Sequence, residues 1–225
     1  MHTYSHLLEH PLALDARVAI YRREATRDRH PQSAIHFYPA RYTSQWKMRN
    51  GEGILLRPIR PDDEPLMVKF HRTFSEQSVY LRYFHMENLS ARAAHERLMR
   101  KCSADFNTEI ALVAERKAPA TGEHEILAVG RLSKMPPGQR AEIAVLVSDR
   151  YQQHGLGKEL VRRLIEIARE QKLQKVVANI LPENLGMRAL TKHFGFRIQP
   201  SKDPMMMTAA LNLAEAGAPD VWRTE

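Results

Sequence analysis

Apolar residues fall into a regular alternation of two periods only from Gly53 onward. Ile54, Leu55, Leu56 and Ile59 make a strand that Arg60-Pro61 closes. Asp62 then offers an N-cap, and Pro65 sits in the first turn, where its missing N–H costs nothing. Leu66, Phe70 and Phe74 follow at four-residue steps, the stripe of an amphipathic helix. Ser75 starts a second helix with Val79, Tyr80, Tyr83 and Phe84, and Ser90 caps a third with Leu98, Met99 and Cys102 on one side. Strand-like segments occupy 109–115, 126–132 and 141–148, with Pro136-Pro137-Gly138 breaking the chain between the last two. Leu160, Leu164 and Ala168, flanked by Val161 and Ile165, predict a long helix over 157–171 with a charged outer face. A strand over 175–181, a helix over 184–193 ending at Gly195, and segments 196–198 and 205–213 complete the pattern. The order predicts an α/β (α+β) domain with a mixed central sheet of six to seven strands and flanking helices.

Before this region the pattern lapses. Residues 1–45 hold Arg17, Arg22, Arg23, Arg27, Arg29 and Arg41 among apolar residues of no sustained period, and read as a basic, solvated N-terminal extension with one short helix, the alternative being an arm that packs on the core or contacts a partner. The domain is expected over 46–213, and 214–225 reads as a loose tail. The 225 residues suit one domain with extensions. A hydrophobic share of 43% and a charged share of 27% are globular values. The net charge of +8 favours anionic partners, a phosphate-bearing molecule among them. No apolar run is long enough to cross a bilayer, and the first residues lack the apolar core of a signal peptide, so a cytoplasmic location is expected. Cys102 is the only cysteine, which excludes an intramolecular disulfide and a cysteine-cluster metal site. His2, His6 and His10 have helical spacing but lie in the unpatterned terminus, and no metal site is assigned to them.

Chemistry concentrates in Val145-Leu146-Val147-Ser148-Asp149-Arg150-Tyr151-Gln152-Gln153-His154-Gly155-Leu156-Gly157-Lys158, a strand, a short loop and a helix start. A helix start has unpaired N–H groups and partial positive charge, and glycines let a ligand approach the backbone, so a phosphate or pyrophosphate fits there. Glycines at such a junction also serve plain turn chemistry, and the spacing alone does not choose between the two. No Gly-Lys-Ser/Thr follows, which argues against a P-loop.

Gln152–Gly157 resembles the Q/R-x-x-G-x-G/A signature of the GNAT-type N-acetyltransferases. Asn184-Leu185-Gly186-Met187-Arg188-Ala189-Leu190-Thr191-Lys192-His193-Phe194-Gly195-Phe196 resembles their second signature, an Asn opening a helix that ends in Gly-Phe. Segments 56–65, 80–84 and 141–147 are similar to a bacterial branch that includes protein lysine acetyltransferases acting on acyl-CoA synthetases. The resemblance implies acetyl-CoA as co-substrate, with its pantetheine arm between two splayed strands. It implies pantetheine contacts from the backbone of Leu146 and Val147. It implies a pyrophosphate cradle from Gln152, Gln153, His154, Gly155, Leu156, Gly157 and Lys158, and places Asn184 beside the arm near the thioester.

Acetyl transfer also needs a neutral amine, and a free lysine has a pKa of about 10.4, so a proton acceptor is wanted. Glu142 is the candidate general base. It interrupts an apolar strand and shares a face with Ala144 and Leu146 by alternation. The plain alternative is a strand-end carboxylate facing water; the branch has its base at this position. Thr191 stands where the superfamily often has an acidic Tyr, so no general acid is assigned, and His193 should point elsewhere. Cys102 reads as core packing rather than as an acyl-carrying nucleophile. The expected activity is direct acetyl transfer to a primary amine, with a protein lysine such as that of an acyl-CoA synthetase as implied acceptor. A small-molecule amine acetyltransferase and a non-catalytic acyl-CoA-sensing or nucleic-acid-associated module stay open as alternatives.

Overall fold

The computed structural model describes residues 38–119 and 121–214, all within one compact unit. Their strands are β1 (Ser44–Lys47), β2 (Gly53–Pro58), β3 (Glu109–Lys117), β4 (His124–Met135), β5 (Arg140–Val147), β6 (Lys175–Ile180), β7 (Arg197–Pro200) and β8 (Met207–Asn212). The helices are α1 (Glu64–His71), α2 (Glu76–Tyr83), α3 (Leu89–Arg92), α4 (His95–Cys102), α5 (Leu156–Glu170) and α6 (Leu185–His193). One eight-stranded sheet runs in the order β1-β2-β3-β4-β5-β6-β8-β7. Every neighbouring pair is antiparallel except β5 and β6, which are parallel.

The sheet is therefore one strand wider than expected, and the extra strand is β1. The sequence pattern places residues up to 45 in the extension, but Ser44 pairs with Leu56 and Tyr42 is buried in the core. Tyr38 donates its hydroxyl to the Pro58 carbonyl at 2.8 Å, so the domain begins several residues before 46. The remainder of the proposed basic arm, 1–37, lies outside the described residues, as does the tail from 215.

Helices cover both faces of the sheet. Leu160 and Leu164 of α5 pack over β4 at Gly130, where a Cβ would stand 3.2 Å from Leu160 Cβ and 3.1 Å from Leu164 Cδ1. The bare glycine is what lets this helix approach so closely. On the opposite face Met67 and Phe70 of α1 and Leu98 and Cys102 of α4 pack with Ala111, Val113 and Val129. β5 divides its side chains accordingly. Ile143, Val145 and Val147 join the α5 side, and Leu146 joins the α1 side.

Helix starts depart from the sequence pattern in two places. Pro61–Asp63 forms a 3-10 turn before α1, with Asp63 rather than Asp62 at the N-cap position. The predicted third helix is two, because Asn88 caps the short α3 and a fresh turn starts α4. On α4 Leu98 and Cys102 are buried, while Met99, one position round the helix from Leu98, is 37% exposed. The Ser75 cap is as expected: its hydroxyl accepts from the Ser78 N–H.

The end of β2 is fastened to α1 by a buried ion network. Arg57 makes a two-pronged contact with Asp63, at 2.7 and 2.6 Å, and its Nε donates to Glu115 at 2.5 Å. Asp63 also accepts the Arg60 N–H at 2.7 Å. Burial opposes the charge on Arg57, yet the two carboxylates outweigh it and raise the guanidinium pKa further.

Candidate active site

β5 and β6 pair for only three rungs, Arg140↔Lys175, Ala141↔Val176 and Glu142↔Val177. Beyond Glu142 they part. β5 stays paired with β4 as far as Val147↔Ala128, and β6 stays paired with β8 as far as Ile180↔Met207. The β6-facing edge of β5 from Ile143 to Val147 therefore opens on a gap, which includes Leu146 and Val147.

The loop at the end of this gap is held from outside. Asp149 accepts from the Ser75 N–H at 2.8 Å and from the Ser78 hydroxyl at 2.6 Å, tying the loop to the head of α2. Burial pushes the Asp149 carboxyl up, but these donors outweigh it and lower its pKa. The Gln152 amide donates to Asp149 Oδ1 and Ser78 Oγ, at 3.1 and 3.2 Å, and its backbone N–H bonds the Asp149 carbonyl at 3.4 Å, so Gln152 braces the loop rather than offering a donor to a ligand. His154 Nδ1 donates to the Gln152 carbonyl at 2.7 Å. Gln153 and Gly155 both take positive φ, 64° and 94°, which turns the chain into α5.

α5 starts at Leu156 with no side-chain cap. The first of its N–H groups to find an acceptor is that of Glu159, which bonds the Gly155 carbonyl. Among the described residues the N–H groups of Gln153, His154, Gly155, Leu156, Gly157 and Lys158 have no acceptor. This run of free donors carries the positive end of a 15-residue helix and suits the two phosphates of a pyrophosphate. The two glycines differ in role. At Gly155 a side chain would be strained by the positive φ and would meet the Trp46 ring at 3.3 Å. At Gly157 a Cβ would make only ordinary contacts, 3.7 Å from Leu190 and Val147.

Asn184 caps α6, its Oδ1 accepting from the Met187 N–H at 2.9 Å. It follows β6 by a short loop. Glu142 sits on the last rung before the gap, half-buried, and accepts from the Asn179 amide at 3.2 Å. Thr208 on β8 in turn donates to Asn179 Oδ1 at 3.3 Å. The sequence pattern singled out neither Asn179 nor Thr208; the available signal was an amide inside the apolar run Val176-Val177-Ala178-Asn179-Ile180.

Thr191 is fully buried and donates its hydroxyl to the Met187 and Arg188 carbonyls of its own helix, at 2.9 and 3.1 Å. It has no proton to offer elsewhere. His193 is exposed, with its ring edge-on to Phe194. Cys102 is buried, and burial, with Asp63 adding, pushes its thiol up to about 11, which leaves it protonated and a poor nucleophile.

Facing Ala144 and Leu146 is a cavity of about 220 Å³, walled by Met67, Phe70, Leu98 and Val129 and bearing Arg82, Arg97, Lys101 and Arg131. His71 also lines it; burial, reinforced by Arg92, Arg97 and Arg131, holds this imidazole neutral down to about 4. Among the described residues no helix is long and apolar enough to cross a membrane, and no group of three or more His, Cys, Asp or Glu side chains could hold a metal.

The chain has close likenesses among known proteins. Residues 54–197 match the family described as acetyltransferase (GNAT) domain. The Acetyltransferase Pat of Mycolicibacterium smegmatis is 30% identical over 149 residues, which span 66% of this chain and 43% of that protein's length. The Acetyltransferase PA5475 of Pseudomonas aeruginosa is 27% identical over 68% of this chain and 80% of its own. The solved GNAT domain of S. lividans PAT superposes with a TM-score of 0.69 at 26% identity, over 78% of this chain and 99% of that one. Mycobacterium smegmatis RimJ, solved in complex with CoA-disulfide, shares the fold, with a TM-score of 0.60 at 17% identity over 77% of this chain and 88% of that one. The open strand pair, the uncapped head of α5 and these matches agree: the chain belongs to the GNAT family of acetyltransferases.

Proposed function

We propose that the chain transfers the acetyl group of acetyl-CoA to a primary amine, that of a protein lysine, with Glu142 as general base. The observation that supports this best is the run of free N–H donors from Gln153 to Lys158 at one end of a strand gap that has Glu142 at the other. In this reading the donors and Gly157 hold the pyrophosphate of the co-substrate. The open edge of β5 at Leu146 and Val147 pairs with the pantetheine amides, and the Asn184 amide N–H faces the arm.

Glu142 takes the proton from the attacking amine, directly or through one water, as the amine adds to the thioester carbonyl. The Asn179 amide holds one carboxylate oxygen and leaves the other for that proton. The leaving thiolate takes its proton from water, since Thr191 is bonded within its helix. The protein-lysine acceptor follows the bacterial branch that segments 56–65 and 80–84 resemble. Incubation with labelled acetyl-CoA and lysine-containing peptides, with calorimetry of acetyl-CoA binding alongside, tests the reading. Label on the lysine amine is expected. Binding without transfer to any amine would leave a sensor, and no binding would remove the proposal altogether.

A further inference from the structure

The cavity beside Ala144 and Leu146 has more positive charge than its own acids balance. Arg97 is paired with Glu87, and Arg131 with Glu109. Arg82 and Lys101 line the same cavity and have no carboxylate partner among the described residues. Arg82 is half-buried and makes no hydrogen bond there; its guanidinium has only the neighbouring Tyr83 ring, 5.3 Å from the ring centroid. Desolvation lowers the pKa of both groups; for Arg82, half-buried with no carboxylate against it, this reflects a cation held partly out of water without a bonded partner. His71 adds a buried Nδ1 with no partner. The apolar wall of Met67, Phe70 and Leu98 strengthens any charge interaction inside.

The geometry points to this cavity as a subsite for an acidic side chain of the acceptor polypeptide, close to the lysine that is modified. Arg82 is its main contact and Lys101, exposed to solvent, its second. This rests on the acetyl-transfer reading above. Ala144 lies one strand repeat, about 7 Å, from Glu142 on the same face. An amine at Glu142 and a carboxylate in the cavity are therefore separated by roughly the reach of adjoining side chains. Glu142 and Glu109 are sensed by Arg82 only at a distance, so neither satisfies it. A cavity of about 220 Å³ holds a Glu or Asp side chain with room to spare. An arginine fork makes the strongest contact a carboxylate can find.

Two blocked five-residue peptides test this: one with a central lysine flanked by glutamates, the other with glutamines in their place. The glutamate peptide is expected to bind the CoA-saturated protein at least tenfold more tightly by calorimetry, and to show the same preference in kcat/KM. In Arg82→Gln the preference should fall to within about twofold while acetyl-CoA affinity holds, which also reports a folded protein. Lys101→Gln, at an exposed position, should reduce it partially. Equal binding and equal turnover of the two peptides, or a preference that survives Arg82→Gln, overturns the subsite. Loss of all acetyl-CoA binding or transfer in the unaltered protein would instead count against the acetyltransferase reading, and the same peptide comparison made on the protein without CoA would still decide the subsite.

Discussion

Asn179 donates its side-chain N–H to Glu142 across the strand pair, at 3.2 Å, just past the last rung that joins β5 to β6. The Asn179 orientation is set by Thr208, whose hydroxyl donates to the amide oxygen and leaves the nitrogen for the carboxylate. A carboxylate held at one oxygen presents the other in one direction. Asn179→Leu should cost about tenfold in kcat, less than loss of the base itself, with acetyl-CoA affinity unchanged. Asn179→Asp sets a like charge beside Glu142 and disfavours its ionised form. The acidic limb of the pH–rate profile should then move to higher pH, a shift that a purely structural role for Asn179 does not give.

Gly157 offers the cleaner test of the phosphate cradle. Gly155 is fixed by backbone strain and by Trp46, so its replacement confuses folding with binding. At Gly157 there is room for a side chain, and an acidic residue in the first turn of a helix favours the helix. Gly157→Ala should fold and bind nearly as the parent does. Gly157→Asp should also fold, yet lose acetyl-CoA affinity at least tenfold, about 1.4 kcal/mol, because its charge stands where the pyrophosphate belongs. Calorimetry on the pair decides this, and equal affinities would put the co-substrate elsewhere.

The Arg57 network is a stability element. Arg57, Asp63 and Glu115 are 3%, 2% and 6% exposed, so none of them has water to fall back on. Arg57→Met keeps much of the side-chain volume but leaves buried Asp63 without its cation and Glu115 with only the His124 ring. The expected loss is about 3–5 kcal/mol of unfolding free energy, measured by urea denaturation. Replacing Arg57 and both acids together by apolar residues should recover much of it. A small effect of the single change would mean that water reaches Asp63.

What was legible in the chain was local. The Leu160–Leu164–Ala168 stripe, the Ser75 cap and the glycines before α5 each declare themselves within a few residues, because helix period, capping and turn conformation are short-range. The parity of β5 was legible too: Leu146 joins the α1-side cluster, and the odd positions join the α5 side. β1 was not. Ser44–Lys47 alternate between half-buried and exposed, but with Trp46 as their one apolar side chain the sequence carries no apolar alternation to mark it, and it is pairing to β2 that makes them a strand. The Asn179–Glu142 contact and the cationic cavity were hidden for a different reason. Arg82, Lys101 and Arg131 come from α2, α4 and β4, and no spacing rule along the chain brings them together.

Stability should depend on pH through His71. Burial and the arginines around it, partly offset by Glu87, depress its pKa from 6.5 to about 4 in the folded protein. Above pH 6.5 the ring is neutral folded or unfolded, and contributes no pH dependence. As pH falls from 6.5 towards 4 the unfolded chain binds a proton that the folded chain refuses, so stability declines across that window and levels off below it. The full effect is about 3 kcal/mol. His71→Phe has no ring nitrogen to protonate and should flatten this part of the stability–pH curve while leaving the rest in place. Denaturant midpoints of the two proteins at intervals from pH 7.5 to about 4 give the comparison. Parallel curves would assign the acid sensitivity to other groups.

Glu142→Gln tests the mechanism most directly. The substitution keeps the shape of the side chain, and its amide oxygen can still accept from Asn179, so the strand pair should stay intact. It cannot take a proton from an amine. General-base assistance is worth about 10²–10⁴-fold, and a loss in that range is expected near pH 7. Acetyl-CoA affinity should hold, because the proposed contacts are the backbone groups of Leu146 and Val147 and the free N–H run at the head of α5. The defect should also shrink as pH rises towards about 10.4, where a lysine acceptor loses its proton unaided. Parent and variant pH–rate profiles on one lysine peptide should therefore converge at high pH. Parallel profiles, or a variant as fast as the parent at pH 7, would reduce Glu142 to a strand carboxylate and hand the proton to another group.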